Sequence, residues 1–123
     1  MAAGDIVQKP DGTEVVLGEV GQQIVFENDR VRVWSIQLQP GESQPWHRHH
    51  YPYLVIAIQE AHNRIDPLSG GEPKLVHETV GGTVFREAGE IHMLTNRGET
   101  VYESRLVELL HLGEASDPEE ILP

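Results

Sequence analysis

The sequence predicts an all-β protein, a sandwich or barrel of antiparallel sheets, and two observations carry that prediction. Turn-forming residues return at short intervals: "PDG" at 10–12, "GEVG" at 18–21, "END" at 27–29, "PGES" at 40–43, "DPLSGGEP" at 66–73, "GG" at 81–82, "EAGE" at 87–90 and "NRGE" at 96–99. Between them lie short stretches rich in β-branched and aromatic residues, the pattern of many short strands joined by tight turns. Few segments run long enough for a helix without meeting Gly or Pro.

In chain order the predicted strands are "TEVVL" (13–17), "QQIVF" (22–26), "VRVWSIQL" (31–38), "YLVIAIQ" (53–59), "KLVHETV" (74–80), "TVFRE" (83–87) and "TVYESRLVELL" (100–110). The run at 53–59 is apolar up to Gln59 and reads as a buried strand. "SRLVELLHL" has a local amphipathic helical pattern, but it follows "TVYE" without a break, so a long strand is expected there. The tail "GEASDPEEILP" reads as loop, with room for one short helical turn.

The 123 residues suit one domain with a proper core, and neither a linker nor a low-complexity block divides them. Twenty acidic against nine basic side chains give a formal charge of -11. That balance argues against nucleic acid or an anionic membrane as partner, since either needs a basic face. The chain has no cysteine, which excludes disulfides, thiolate nucleophiles and Cys-based metal sites. The start "MAAGDIVQKPDG" lacks the blocks of a signal peptide, and no apolar run approaches the ~20 residues of a membrane span. A cytoplasmic protein is expected.

The chemistry concentrates in "PGESQPWHRHHYPYLVIAIQE" (40–60), where His47, His49 and His50 crowd together beside Trp46, Tyr51 and Tyr53. On a strand His47 and His49 point to one face, and His50 to the other. Such a pair alone is more often a surface feature than a ligand pair. His92, in "EAGEIHMLTN", follows a Gly-containing turn and enters another strand-like run, so it can supply a third imidazole from a neighbouring strand. Neutral imidazoles bind first-row transition ions well.

The spacings Gly41-x5-His47-x-His49 and Gly81-x5-Glu87-x-Gly89-x2-His92-x3-Asn96 resemble the two motifs of the cupin superfamily, G-x5-HxH-x3-4-E-x6-G and G-x5-PxG-x2-H-x3-N. The resemblance covers about residues 27–110, with no gap inside either motif. "ENDRVRVWSIQLQPGESQPWHRH" and "FREAGEIHMLTN" are similar to very small bacterial cupins such as the β-alanine degradation protein type. It implies a single-domain jelly-roll barrel over 1–123, with a core at about 27–110. It also implies one divalent transition metal (Fe, Zn, Ni or Mn) held by His47, His49 and His92 inside the barrel.

Three positions depart from the pattern. Tyr53 stands where the family has its glutamate ligand, Glu60 replaces a glycine and Glu87 replaces the proline. Three neutral imidazoles leave a divalent ion its full charge, which favours an anionic or enolisable substrate. Tyr53 is the candidate catalytic residue, with a fourth ligand or a core aromatic as the other readings of it. Gln44, Arg64 and Arg86 are candidate substrate-binding residues, the arginines for a carboxylate. Asn96 is assigned to its turn or to support behind the metal ligands, His50 to the outside or an interface, and His62, His77 and His111, unclustered in sequence, to the surface.

The function expected is a metal-dependent enzyme acting on a small anionic metabolite, either a dioxygenase or a Lewis-acid isomerase, lyase or cyclase. The competing class is a non-catalytic ligand-binding or accessory protein of the same fold. A homodimer is expected, since the exposed edges of a small β-sandwich need covering.

Overall fold

The computed structural model describes residues 1–116; the end of the tail, from residue 117 on, lies outside the described residues. Eleven strands follow one another, β1 (Ile6–Gln8), β2 (Glu14–Val16), β3 (Gln23–Glu27), β4 (Val31–Leu38), β5 (Ser43–Arg48), β6 (Tyr53–Gln59), β7 (Ala61–Pro67), β8 (Lys74–Glu78), β9 (Thr83–Arg86), β10 (Ile91–Asn96) and β11 (Tyr102–Leu109), before a single 3-10 turn at Leu110–Leu112. They build a five-stranded sheet in the order β3-β4-β11-β6-β9, a four-stranded sheet in the order β5-β10-β7-β8, and a small β1-β2 hairpin. All pairings are antiparallel. The all-β jelly roll expected from the sequence is what the chain adopts.

The centre of the five-stranded sheet is β4 against β11, paired along their full length from Tyr102 opposite Leu38 to Leu109 opposite Val31. Burial in β11 alternates strictly, with Tyr102, Ser104, Leu106 and Glu108 inside. That period of two, and not the helical period of "SRLVELLHL", decides the segment. Among the described residues helical geometry appears only in the turn that follows β11.

Two strands escaped the sequence reading. Ile6–Gln8 pairs with Glu14–Val16 around "PDG"; three residues are too few to show a period. Ala61–Pro67 is polar to the eye, yet it alternates with Ala61, Asn63 and Ile65 buried, and it is held between β10 and β8. Its strand character comes from its partners. Pro45 lies within β5, which tolerates it because β5 is an edge strand and Pro45 is exposed.

One apolar cluster joins the sheets: Val20, Trp34, Ile36, Leu38, Tyr53, Ala57, Ala61, Tyr102 and Leu106. The loop before β3 packs tightly on it, since a Cβ on Gly21 would sit 2.6 Å from the Trp34 Cβ. Among the described residues no helix is long and apolar enough to cross a membrane.

Candidate metal centre

Strands β5 and β10 run side by side with His47 directly opposite His92. His49 lies one residue past the end of β5 and is fixed by two backbone bonds to the turn before β10. Its N–H donates to the Glu90 carbonyl at 3.0 Å, and the Gly89 N–H donates to its own carbonyl at 2.7 Å. Gly89 makes that turn with φ +113°, a region side chains avoid. At the other end of the pair the Gly41 N–H donates to the Asn96 carbonyl at 2.7 Å, again from positive φ. Gly41 and Gly89 thus tie the two histidine strands together at both ends.

The three imidazoles converge. Nε2 of His49 lies 3.1 Å from Nε2 of His47 and 2.9 Å from Nε2 of His92. Ring centroids are 4.8, 4.8 and 4.7 Å apart, with interplanar angles of 84°, 81° and 75°, so the rings stand nearly perpendicular to one another. All three are at most 5% exposed. The His47 Nδ1–H donates to the Pro45 carbonyl at 2.6 Å, which leaves the Nε2 lone pair facing the cluster. The Glu90 carboxylate lies 3.3 Å from Nδ1 of His92 and favours the same tautomer there. Burial first, and then the neighbouring His92, lowers the His47 pKa to about 3; burial, followed by His47 and His92, holds His49 well below the ordinary histidine value. Both rings are therefore neutral, the form that ligates metal.

These residues fit a divalent transition ion. Two nitrogens bound at right angles with bonds of about 2.1 Å stand about 3.0 Å apart, close to the separations seen. Among the described residues the metal-competent group is these three histidines, without a carboxylate.

Tyr53 lies against the cluster, stacked on His49 with centroids 3.8 Å apart and planes 12° apart. It is 2% exposed, and burial pushes its phenol well above the ordinary tyrosine range. Arg86 of β9 is its cross-strand partner, and both line the same narrow cavity of about 50 Å³. Most of the remaining wall is aliphatic. By the ~10–15 Å³ that one water needs, this is room for a few waters or a slender ligand.

The other sequence candidates divide. Gln44 lines the cavity, but its amide is committed to the preceding loop: it donates to the carbonyls of Glu19 at 2.9 Å and Gly21 at 3.3 Å, and its oxygen accepts from Gln22 at 3.4 Å. Arg64 does not reach the barrel interior. It sits between the inward residues Asn63 and Ile65, so its side chain is on the outer face, 46% exposed and paired with Asp66 at 3.0 Å. Asn96 serves its turn, donating to the Leu38 and Thr100 carbonyls and accepting from the Gly98 N–H. His50 is half-buried, 3.3 Å from Arg48 and 3.5 Å from Glu114. His62 and His77 are exposed but not separate: β7 and β8 set them opposite one another, stacked at 4.4 Å.

Three further residues reach the site or its cavity unannounced by the sequence. Glu90 was legible in principle, as the acid two residues before His92. Glu78 and Tyr102 line the cavity from distant strands, and only the topology brings them there.

No protein-family model and no curated protein matches the chain. Solved structures do. A cupin domain from Bordetella pertussis Tohama I superposes with a TM-score of 0.66 at 24% identity, covering 71% of this chain and 88% of its own. An RmlC-like cupin family protein with a double-stranded β-helix fold, from Methanocaldococcus jannaschii, gives 0.60 at 21% identity, covering 89% and 92%. The DMSP lyase DddQ from Ruegeria pomeroyi gives 0.52 at 19% identity, covering 72% of this chain and 42% of its own. The chain has the cupin fold, an RmlC-like double-stranded β-helix whose interior holds three converging histidines.

Proposed function

We propose that the protein is an enzyme that holds one divalent transition ion (Fe, Zn, Ni or Mn) through His47, His49 and His92 and acts on a small anionic metabolite. The observation that carries this is the convergence of three buried imidazole Nε2 atoms, without a carboxylate, in a cavity also lined by Arg86 and Tyr53.

When bound, the ion supplies Lewis acidity, and iron would add redox chemistry. Arg86, the guanidinium on the cavity wall, binds and orients a substrate carboxylate. Tyr53 keeps its proton, because burial disfavours the phenolate, so its hydroxyl serves as a proton donor or a hydrogen-bond donor to developing charge. The aliphatic wall keeps water from the reacting groups. A phenol held protonated beside the triad supports isomerase, lyase or cyclase chemistry as the first reading and dioxygenation as the second. The likeness to the DMSP lyase is one of fold and adds no substrate.

Elemental analysis of the purified protein, followed by oxygen uptake with iron-loaded protein, tests the assignment. A transition metal lost in the His47→Ala/His49→Ala variant supports the centre, and turnover without oxygen consumption supports the Lewis-acid reading. A protein that binds no metal on reconstitution overturns both. A His49→Ala variant that keeps full ligand binding favours the non-catalytic module instead.

The homodimer is proposed on the apolar edges of the five-stranded sheet. Ile24, Val25 and Phe26 on β3 and Phe85 on β9 are all more than 40% exposed. Light scattering on the eluting protein tests it.

A further inference from the structure

The cavity has a second polar end. On β10 His92 stands opposite Pro67 of β7 and Asn96 opposite Asn63, a span of about 13 Å at ~3.3 Å per residue. Between these levels the wall is aliphatic, with Leu94, Ile65, Val55 and Leu106. Toward the Asn63 level the lining turns polar again, with Glu78 from β8 and Tyr102 from β11. The Asn63 amide donates to the Glu78 carboxylate at 2.5 Å. Behind this lining one buried oxygen, Asn63 Oδ1, has no hydrogen-bond partner among the described residues. Asn63, Tyr102 and Ser104 are fully buried.

The two ends differ in sign. Arg86 and the ligand histidines stand at one. The other carries the half-buried Glu78 carboxylate and the Tyr102 side chain. Among the described residues no Lys and no second Arg lines the cavity. A carboxylate at the end of an apolar cavity is stabilised further by each group that donates to it.

We propose that the cavity takes a short carboxylic acid carrying a hydrogen-bond donor at its far end, the acid toward Arg86 and the histidines, the donor toward Glu78 and Tyr102. This rests on the anion site proposed above and adds the other half of the ligand. Glu78 is then the residue that selects donor-ended acids and rejects diacids, and Tyr102 supports it.

The test is titration calorimetry of the zinc-loaded full chain with four probes: pentanoate, 5-hydroxypentanoate, 5-aminopentanoate and glutarate. The hydroxy and amino acids are expected to bind about tenfold or more tighter than pentanoate, the range of a hydrogen bond to a charged group, and glutarate more weakly. Glu78→Gln should abolish the preference for the amino acid, read as the ratio of its affinity to that of pentanoate in the same variant. Tyr102→Phe, which keeps the buried ring, gives a second reading by weakening the hydroxy acid alone. Pentanoate binding with no preference among the probes, or a preference that survives Glu78→Gln, overturns this inference and leaves the anion site standing. Binding of none of the four overturns both.

Discussion

The two sheets of the sandwich bury different kinds of residue, Ser104 and Glu108 on β11 being the polar exceptions in the five-stranded one. The five-stranded sheet turns Trp34, Ile36, Leu38, Tyr53, Ala57, Tyr102 and Leu106 inward. The four-stranded sheet and its extension turn in Gln44, His47, His49, Asn63, His92 and Asn96, with only Ala61 and Ile65 as fully buried apolar partners. One sheet supplies hydrophobic stabilisation, and the other spends its interior on chemistry. The polar interior is tolerable because most of it is tied to backbone: His47 to the Pro45 carbonyl, Gln44 to the Glu19 and Gly21 carbonyls, Asn96 to Leu38 and Thr100. The apolar sheet in turn provides the dry wall that helps keep the His47 and His49 imidazoles neutral.

If the division holds, substitutions in the two sheets have opposite consequences. The largest effect belongs to His47→Ala/His49→Ala, which should take bound metal from about one ion per chain to none while the metal-free variant keeps its circular dichroism and cooperative melt. Unfolding of that variant would break the comparison, since the histidines would then be structural. Leu38→Ala, in the other sheet and away from the cavity lining, should cost about 2–5 kcal/mol in denaturant unfolding. Metal affinity of the folded fraction should stay where it was. A large loss of affinity there would mean that the two sheets are not separable.

Sequence patterning made the apolar sheet the easier half to read. β4 and β6 were predicted to the residue, and β11 to within two residues, because alternation or a continuous apolar run marks them. The four-stranded sheet gave less signal: β7 shows "AHNRIDP", whose buried Asn63 breaks the apolar pattern, and β5 carries a proline. The metal ligands were legible for a different reason. Their spacing from Gly41 and Gly89 is local, and turns convert local spacing into geometry. Arg64 and Arg86 look alike in sequence, and only pairing decides that Arg86 faces the cavity with Tyr53 while Arg64 faces out. Glu78 and Tyr102 were beyond reach, since nothing in a linear pattern brings β8 and β11 to one cavity.

Acid should expose the division a third way. His47 and His49 are neutral when folded, and their pKa values are lowered, His47 to about 3, while the unfolded chain titrates near 6.5. As pH falls below about 6.5 the unfolded chain takes up protons that the folded protein refuses. Stability of the metal-free protein is therefore full above that pH and falls below it, by up to about 1.4 kcal/mol per pH unit for each imidazole. Denaturant midpoints from pH 7 to 4.5 should show this slope in the wild type and a shallower one in His47→Ala/His49→Ala. Carboxylate titration is common to both proteins, so the difference reports the histidines. Equal slopes would mean that the rings already carry protons in the folded state.

The smallest effect sharpens the comparison inside the chemical sheet itself. His47 is oriented by a backbone carbonyl, which no substitution removes, whereas His92 relies on the Glu90 side chain, 3.3 Å from its Nδ1 and 39% exposed. The neighbouring His92 is the main reason the Glu90 carboxyl is held below the usual carboxylate range, so the two groups do sense one another. Glu90→Gln keeps the shape and leaves intact the backbone carbonyl that receives the His49 N–H, but it removes the charge that makes His92 a stronger donor. Metal affinity should fall about tenfold, the low end of the 10–100-fold range for such supporting groups, because the amide oxygen keeps a polar partner near Nδ1. The melting temperature of the metal-free protein should barely move, since the side chain is partly solvated. An affinity unchanged within error would assign the orientation of His92 to packing between β5 and β7 alone, and would make the backbone the sole positioning device of the centre.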